Sequence, residues 1–191
     1  ARPLDGCARP YNRHLNEEQR LAVKSIVAAE KRDVPYVLFG PPGTGKTTTL
    51  VEAVLQLAVQ LLKQLKRDTS FHILVCTPTN TAADHICKCL AKVLSSKLDM
   101  LRLMAYSRSK NDFPPDFPVQ LTNWDGDGFE MPALEDLLKP TVVVATLTKA
   151  SALLNAGVPR GHFDVIVLDE GGQAFEAEAV APVGGLLGPD G

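Results

Sequence analysis

With 191 residues, 45% of them apolar and 22% charged, the chain has the make-up of an ordinary soluble globular protein and the length for one well-buried domain, at most one and a half. A formal net charge of −2 excludes capture of nucleic acid by bulk electrostatic attraction, so any such contact has to come from local groups and helix N-termini. The four cysteines show neither C-x-x-C spacing nor disulfide-scaffold density, and no run of about 18 apolar residues is present, which excludes a disulfide-built secreted domain and a membrane span and leaves a reduced, intracellular, cytoplasmic setting as the expectation.

In chain order, residues 1–14, with Pro3, Pro10 and scattered charge, read as a linker or lead-in. A helix is predicted from Asn16 to about Lys31: Asn16 is a natural N-cap, and Gln19 stands at the capping-box position three residues on. The apolar run Tyr36–Phe39 predicts a buried strand leading into a glycine-rich loop, and Lys46–Lys66 a second helix. In that helix Glu52, Gln56, Gln60 and Gln64 recur at every fourth position, a single polar stripe on an otherwise core-forming surface.

Four more apolar runs, His72–Cys76, Leu101–Met104, Thr141–Ala145 and Val165–Leu168, predict buried strands, with a helix over Thr81–Leu94 between the first two. Strands alternating with helices imply right-handed βαβ units, hence an α/β fold: a parallel sheet covered by helices on both faces. Residues 107–140 stand apart. Five prolines and the stretch Asp125-Gly126-Asp127-Gly128 rule out a long regular element and predict a loop-rich insertion. The end, Gly188-Pro189-Asp190-Gly191, is a turn signature that points to a piece of a longer protein, cut where another strand would begin.

Chemistry concentrates first in Gly40-Pro41-Pro42-Gly43-Thr44-Gly45-Lys46-Thr47-Thr48, which carries the pattern G-x-x-x-x-G-K-[ST]. A strand, such a loop and a helix in succession turn backbone N–H groups towards one point at a helix N-terminus, where partial positive charge collects. Lys46 can reach β- and γ-phosphates and the Thr47 hydroxyl can hold Mg²⁺, so the expected ligand is a nucleoside triphosphate. A second concentration is Val165-Ile166-Val167-Leu168-Asp169-Glu170, an apolar strand that delivers two acids to its C-terminal end, the rim where ligands bind in open α/β sheets. Asp169 is the candidate Mg²⁺ ligand, and Glu170 the candidate general base for the attacking water.

Two other features point to no ligand. His85, Cys87 and Cys89 lie on a predicted helix, where positions two apart point in different directions, so they do not make a metal site. Asp125-Gly126-Asp127-Gly128 opens like a calcium loop, but Phe129 occupies the fifth-ligand position and Asp136 the place of the usual glutamate. Trp124, in the same loop, is expected to fold against its own surface rather than stack on a base.

The acidic strand continues as Asp169-Glu170-Gly171-Gly172-Gln173. Together with the phosphate loop and Leu15-Asn16-Glu17-Glu18-Gln19, this ordered set resembles the first RecA-like domain of superfamily 1 helicases, in the RNA-directed branch that includes the nonsense-mediated-decay helicase. Pro35–Phe39, Asn123-Trp124-Asp125 and Gly161-His162-Phe163 look most like the Armitage and Moloney-leukaemia-virus-ten-like helicases, and the likeness runs from about Leu15 to Leu187.

The resemblance implies a P-loop NTPase domain spanning 15–191, with ATP and Mg²⁺ as cofactors and single-stranded RNA, or DNA, as partner. It implies that Gln19 reads adenine, that Thr79 and Asn80 in Thr77-Pro78-Thr79-Asn80-Thr81 grip the nucleic-acid backbone, and that Thr146 adds a strand-end contact. It makes Gln173 the γ-phosphate sensor, beside Lys46, Asp169 and Glu170 as the catalytic set. It also implies a second RecA-like domain that supplies arginine fingers, without which the 191 residues would bind nucleotide but barely hydrolyse it. Gly171 departs from the family's usual alanine, which loosens that turn. The rival readings are an AAA+ ATPase, disfavoured by the long stretch between Lys46 and Asp169 and by Gln173, and a nucleotide-dependent nucleic-acid-binding module without catalysis.

Overall fold

The computed structural model describes residues 10–28, 35–64, 71–96, 99–113 and 115–187, and the chain divides into two compact units, Ala1–Thr69 and Ser70–Gly191. No described helix is long and apolar enough to cross a membrane.

The first unit holds helices α1 (Glu17–Val27) and α2 (Lys46–Gln64), packed on each other. The predicted start of α1 is realised: Asn16 Oδ1 accepts from the Gln19 N–H at 2.8 Å, and Gln19 Oε1 accepts from the Asn16 N–H at 2.9 Å, so two orphan donors are satisfied reciprocally. The last residues expected in α1, 29–31, and Lys66 of the expected second helix lie outside the described residues, as do 1–9 of the lead-in.

The polar stripe of α2 does not face solvent where its side chains are described. Glu52 and Gln56 are buried, and the Glu52 carboxylate accepts from the backbone N–H groups of Tyr11 (3.0 Å) and Asn12 (2.9 Å) and from Gln56 Nε2 (2.8 Å). A buried carboxylate is tolerable only with such donors, and here it anchors the lead-in to the helix.

One expected strand does not form. Residues 36–39 belong to no strand among the described residues, and Val37 and Phe39 are 78% and 90% exposed. Composition favours a strand there, but a strand exists only through a backbone ladder with a neighbouring strand, and none of the described strands provides one.

The second unit is a four-stranded parallel sheet, β1 (Ile73–Thr77), β2 (Met100–Arg102), β3 (Val142–Thr146) and β4 (Val165–Leu168), in spatial order β2-β3-β1-β4. Its helices are α3 (Asn80–Leu90), the single turn α4 (Leu134–Leu137), α5 (Leu147–Asn155) and α6 (Glu176–Leu186). Strand residues alternate between faces. Leu74, Cys76, Leu101, Leu103, Val143 and Ala145 pack with Leu147, Ala150 and Leu153 of α5 and Leu186 of α6. Residues of the other parity, Arg102 among them, face α3, which buries Ala83, Ile86, Cys87 and Leu90. Helices on both faces of a parallel sheet make this the expected α/β, RecA-like fold.

Residues 107–140 carry two 3-10 turns and α4 as their regular pieces among the described residues. This stretch gathers around rings: Phe113 stacks on Phe117 and meets Phe129 edge-on, Trp124 packs edge-on against Phe129 at 5.0 Å, and Arg108 lies over the Phe113 ring. Asn123 ties it to the sheet by accepting from the Met104 N–H and donating to the carbonyls of Met104 and Glu130.

Candidate functional site

The candidate residues fall into two groups, one in each unit. In the first, Gly43 and Gly45 adopt φ of +81° and +80°, a left-handed conformation that glycine enters without steric cost. Thr44 Oγ1 donates to the Pro41 carbonyl at 2.8 Å, closing the turn, and Thr49 Oγ1 donates to the Gly45 carbonyl at 3.0 Å where α2 begins. A Cβ at Gly40 would stand 2.7 Å from Thr44 Oγ1, so the turn needs a bare backbone there too. Gly40 through Thr48 thus lead into the N-terminus of α2, whose first turn carries no acidic side chain, an arrangement suited to an anion.

Lys46 folds back across the loop, donating from Nζ to the carbonyl oxygens of Gly40 (2.7 Å) and Pro41 (3.1 Å). These are neutral acceptors, and a phosphate oxygen makes a bond roughly twice as strong with an ammonium. Thr47 is half-buried at the helix start. Gln19 is carried onto the same loop: its Nε2 donates to the Thr44 carbonyl at 3.0 Å, and a Cβ at Gly45 would stand 2.6 Å from that nitrogen. Capping α1 and touching the loop use one donor and one acceptor position of the amide, leaving one N–H and one oxygen lone pair.

In the second unit the candidates collect at the C-terminal ends of the strands. β1 and β3 run parallel with Thr77 level with Thr146. Thr79 caps α3, its Oγ1 accepting from the Ala82 N–H at 3.2 Å, and Thr146 caps α5 by accepting from Lys149 N–H at 3.4 Å. Asn80 opens α3, exposed. Asp169 follows β4, its N–H donating to the Cys76 carbonyl at 3.0 Å, and it is buried to 7% exposure.

Glu170 is exposed and sits at φ +55°, ψ +30°, the single non-glycine residue with positive φ among the described residues. For an L-residue this costs roughly 1–2 kcal/mol, and such strain gathers at functional positions. Gly171–Gln173 form a 3-10 turn closed by the Gln173 N–H on the Glu170 carbonyl at 2.9 Å, which leaves the Gln173 side chain exposed. Gly171 is not forced to be glycine: a Cβ there meets only Leu168 Cβ, at 3.8 Å.

Sequence reasoning passed over Arg102. It lies wholly buried in β2 and donates to Asp84, to the Leu103 carbonyl and to Asn80. Burial lowers its pKa, and the adjoining Asp84 carboxylate opposes that shift. The available signal was a lone arginine inside the apolar run Met100–Met104. On α3, Cys87 turns into the core while Cys89 reaches His85 Nε2 at 3.7 Å, so the two cysteines do point apart.

The profile of a family described as an AAA domain matches residues 14–116. The helicase mov-10-B.1 of Danio rerio is 40% identical over 176 residues, covering 90% of this chain and 16% of that protein. The RNA helicase Mov10l1 of Homo sapiens is 38% identical over 179 residues (91% and 13%), and the RNA helicase armi of Drosophila melanogaster 34% over 193 residues (91% and 15%). The chain therefore spans a small fraction of the length of these relatives.

Proposed function

The chain belongs to the AAA-domain family, in the branch of the MOV-10 and Armitage helicases, and from that premise we propose that it is the ATP-binding first RecA-like motor domain of an ATP-dependent RNA helicase. The observation that carries the reading is the phosphate loop, with Gly43 and Gly45 at positive φ and Lys46 opening α2.

In this reading the N–H groups of Gly43 to Thr48 bind the triphosphate, Lys46 leaves its loop carbonyls for the β- and γ-phosphates, and the remaining amide positions of Gln19 meet adenine. Thr47 and Asp169 are the hard oxygen donors that would hold Mg²⁺, an ion that usually takes only one or two protein ligands beside waters and substrate phosphates. Bound there, Mg²⁺ would neutralise charge on the phosphate oxygens. Glu170 orients the attacking water and takes its proton, and Gln173 senses the γ-phosphate.

Thr79, Asn80 and Thr146 hold a single strand across the ends of β1 and β3; RNA is favoured over DNA by the RNA-helicase names of two relatives. Arginine fingers from a second RecA-like domain complete catalysis, and a finger is worth about 10³ to 10⁵ in rate. The 191 residues alone therefore bind ATP and turn it over slowly. The setting is intracellular, where Cys76, Cys87 and Cys89 remain thiols.

Titration of the chain with a fluorescent ATP analogue and Mg²⁺, beside Lys46→Ala, tests the proposal. Saturable binding that Lys46→Ala weakens by about ten- to a hundredfold, and that single-stranded RNA strengthens, is expected. Binding unaffected by Lys46→Ala would remove the nucleotide site. Binding indifferent to RNA and DNA alike would leave a P-loop NTPase and remove the helicase reading.

A further inference from the structure

We propose that Arg102 is a positioning residue: it clamps Asn80 Oδ1 so that the amide presents only its Nδ2 donors at the strand-end edge, where they take a phosphate oxygen of a single-stranded nucleic acid. This rests on the nucleic-acid reading above and assigns the chemistry by which one of its residues would act.

The Arg102 guanidinium donates to three residues, two of them on α3. Nε donates to Asp84 Oδ1 at 3.0 Å, Nη1 to the Leu103 carbonyl at 2.8 Å, and Nη2 to Asn80 Oδ1 at 3.0 Å. Asp84 is held from the other side by Arg108 Nη1, at 2.7 Å from Oδ2. The orientation of an asparagine amide is ordinarily ambiguous, because its oxygen and nitrogen look alike. Here it is not. Arginine has five donors and no acceptor, so the atom that meets Nη2 has to be the oxygen.

The consequence is chemical. A free asparagine side chain is donor and acceptor at once, whereas Asn80 with Oδ1 taken is a donor group. It is exposed at the first position of α3. The neighbouring Thr79 hydroxyl already accepts from the Ala82 N–H. A donor fixed beside a helix N-terminus matches a phosphate oxygen in both hydrogen-bond sense and charge. Packing alone does not account for the arginine, because well-packed apolar residues commonly replace buried ion pairs without loss of stability.

The test is equilibrium binding of a fluorescein-labelled oligouridylate to the chain, to Arg102→Lys, to Asn80→Ala and to the double variant, with thermal unfolding recorded for each. Lysine keeps the charge near Asp84 but lacks the fork that reaches Asn80 as well. Arg102→Lys is expected to weaken binding about tenfold with Asn80 present and hardly at all in the Asn80→Ala background. An equal loss in both backgrounds would show that Arg102 only supports the fold and would overturn the proposal.

Asn80→Asp gives an independent reading should Arg102→Lys fold poorly. Its new carboxylate pairs with Arg102 and faces the helix N-terminus, so the melting temperature should hold or rise while oligouridylate binding falls at least tenfold. Wild-type binding by Asn80→Asp would overturn the proposal. If the unaltered chain bound neither RNA nor DNA, the nucleic-acid part of the proposed function would fail first, and the positioning role with it.

Discussion

The phosphate loop and the strand-end edge of the second unit both offer polar groups to a ligand, yet they are made of different material. The loop is backbone. Its form depends on residues within a few positions of one another: two glycines at positive φ, a threonine closing on Pro41, a lysine folded onto the Gly40 carbonyl. The edge is side chain, and its members come from distant parts of the chain: Asn80 and Asp84 from α3, Arg102 from β2, Arg108 from the insertion. Lys46 apart, a backbone site depends on its dihedral angles rather than on its side chains, whereas a side-chain site depends on every partner being present.

The contrast can be strained from either side. Asp84→Ala should have the largest effect, because it leaves the buried Arg102 charge without its carboxylate. A loss of about 3 kcal/mol is expected from urea unfolding, and a loss below about 1 kcal/mol would mean that the network is dispensable. Gly45→Ala strikes the loop instead. It forces alanine to φ +80° and brings a Cβ within 2.6 Å of Gln19 Nε2, for roughly 1–2 kcal/mol of strain. Its nucleotide affinity should fall while oligouridylate binding, which depends on the other unit, is kept.

At neutral pH the smallest effect belongs to the second unit's core. His162 stacks on His72 at 4.1 Å with its Nε2 buried and unbonded. Burial first, and the neighbouring His72 second, push the His162 pKa from 6.5 down to about 4. Between those values the unfolded chain binds a proton that the folded chain refuses. This contribution to stability is therefore whole above pH 6.5 and is lost as the pH falls towards 4. Unfolding free energies measured across that window should slope downward with acidity, and His162→Phe should flatten the slope.

The same contrast explains what was legible in the sequence. The loop motif, the capping box of Asn16 and Gln19, the strand ending in Asp169-Glu170 and the proline-rich insertion are all written in short stretches, and each could be located from neighbouring residues. Trp124 folding onto Phe129 followed from ordinary packing. Tyr36–Phe39 misled because composition records a preference and not a partner: the run is apolar enough for a strand, but no described strand pairs with it. The polar stripe of α2 could be located but not explained, since periodicity marks Glu52 and Gln56 as polar without showing that Tyr11 and Asn12 would cover them. The clamp on Asn80 was out of reach because it joins residues 22 apart through a side chain.

Glu170 holds a backbone conformation that its own chemistry does not favour. A library randomised at this one position therefore faces two opposed pressures. Sorted for folded protein alone, it should fill with glycine and asparagine, the residues that enter the left-handed region at least cost, and should lose valine and isoleucine. Sorted for nucleotide turnover in a complete motor, it should return to glutamate. The distance between those two populations would measure how much folding preference this position gives up for its carboxylate.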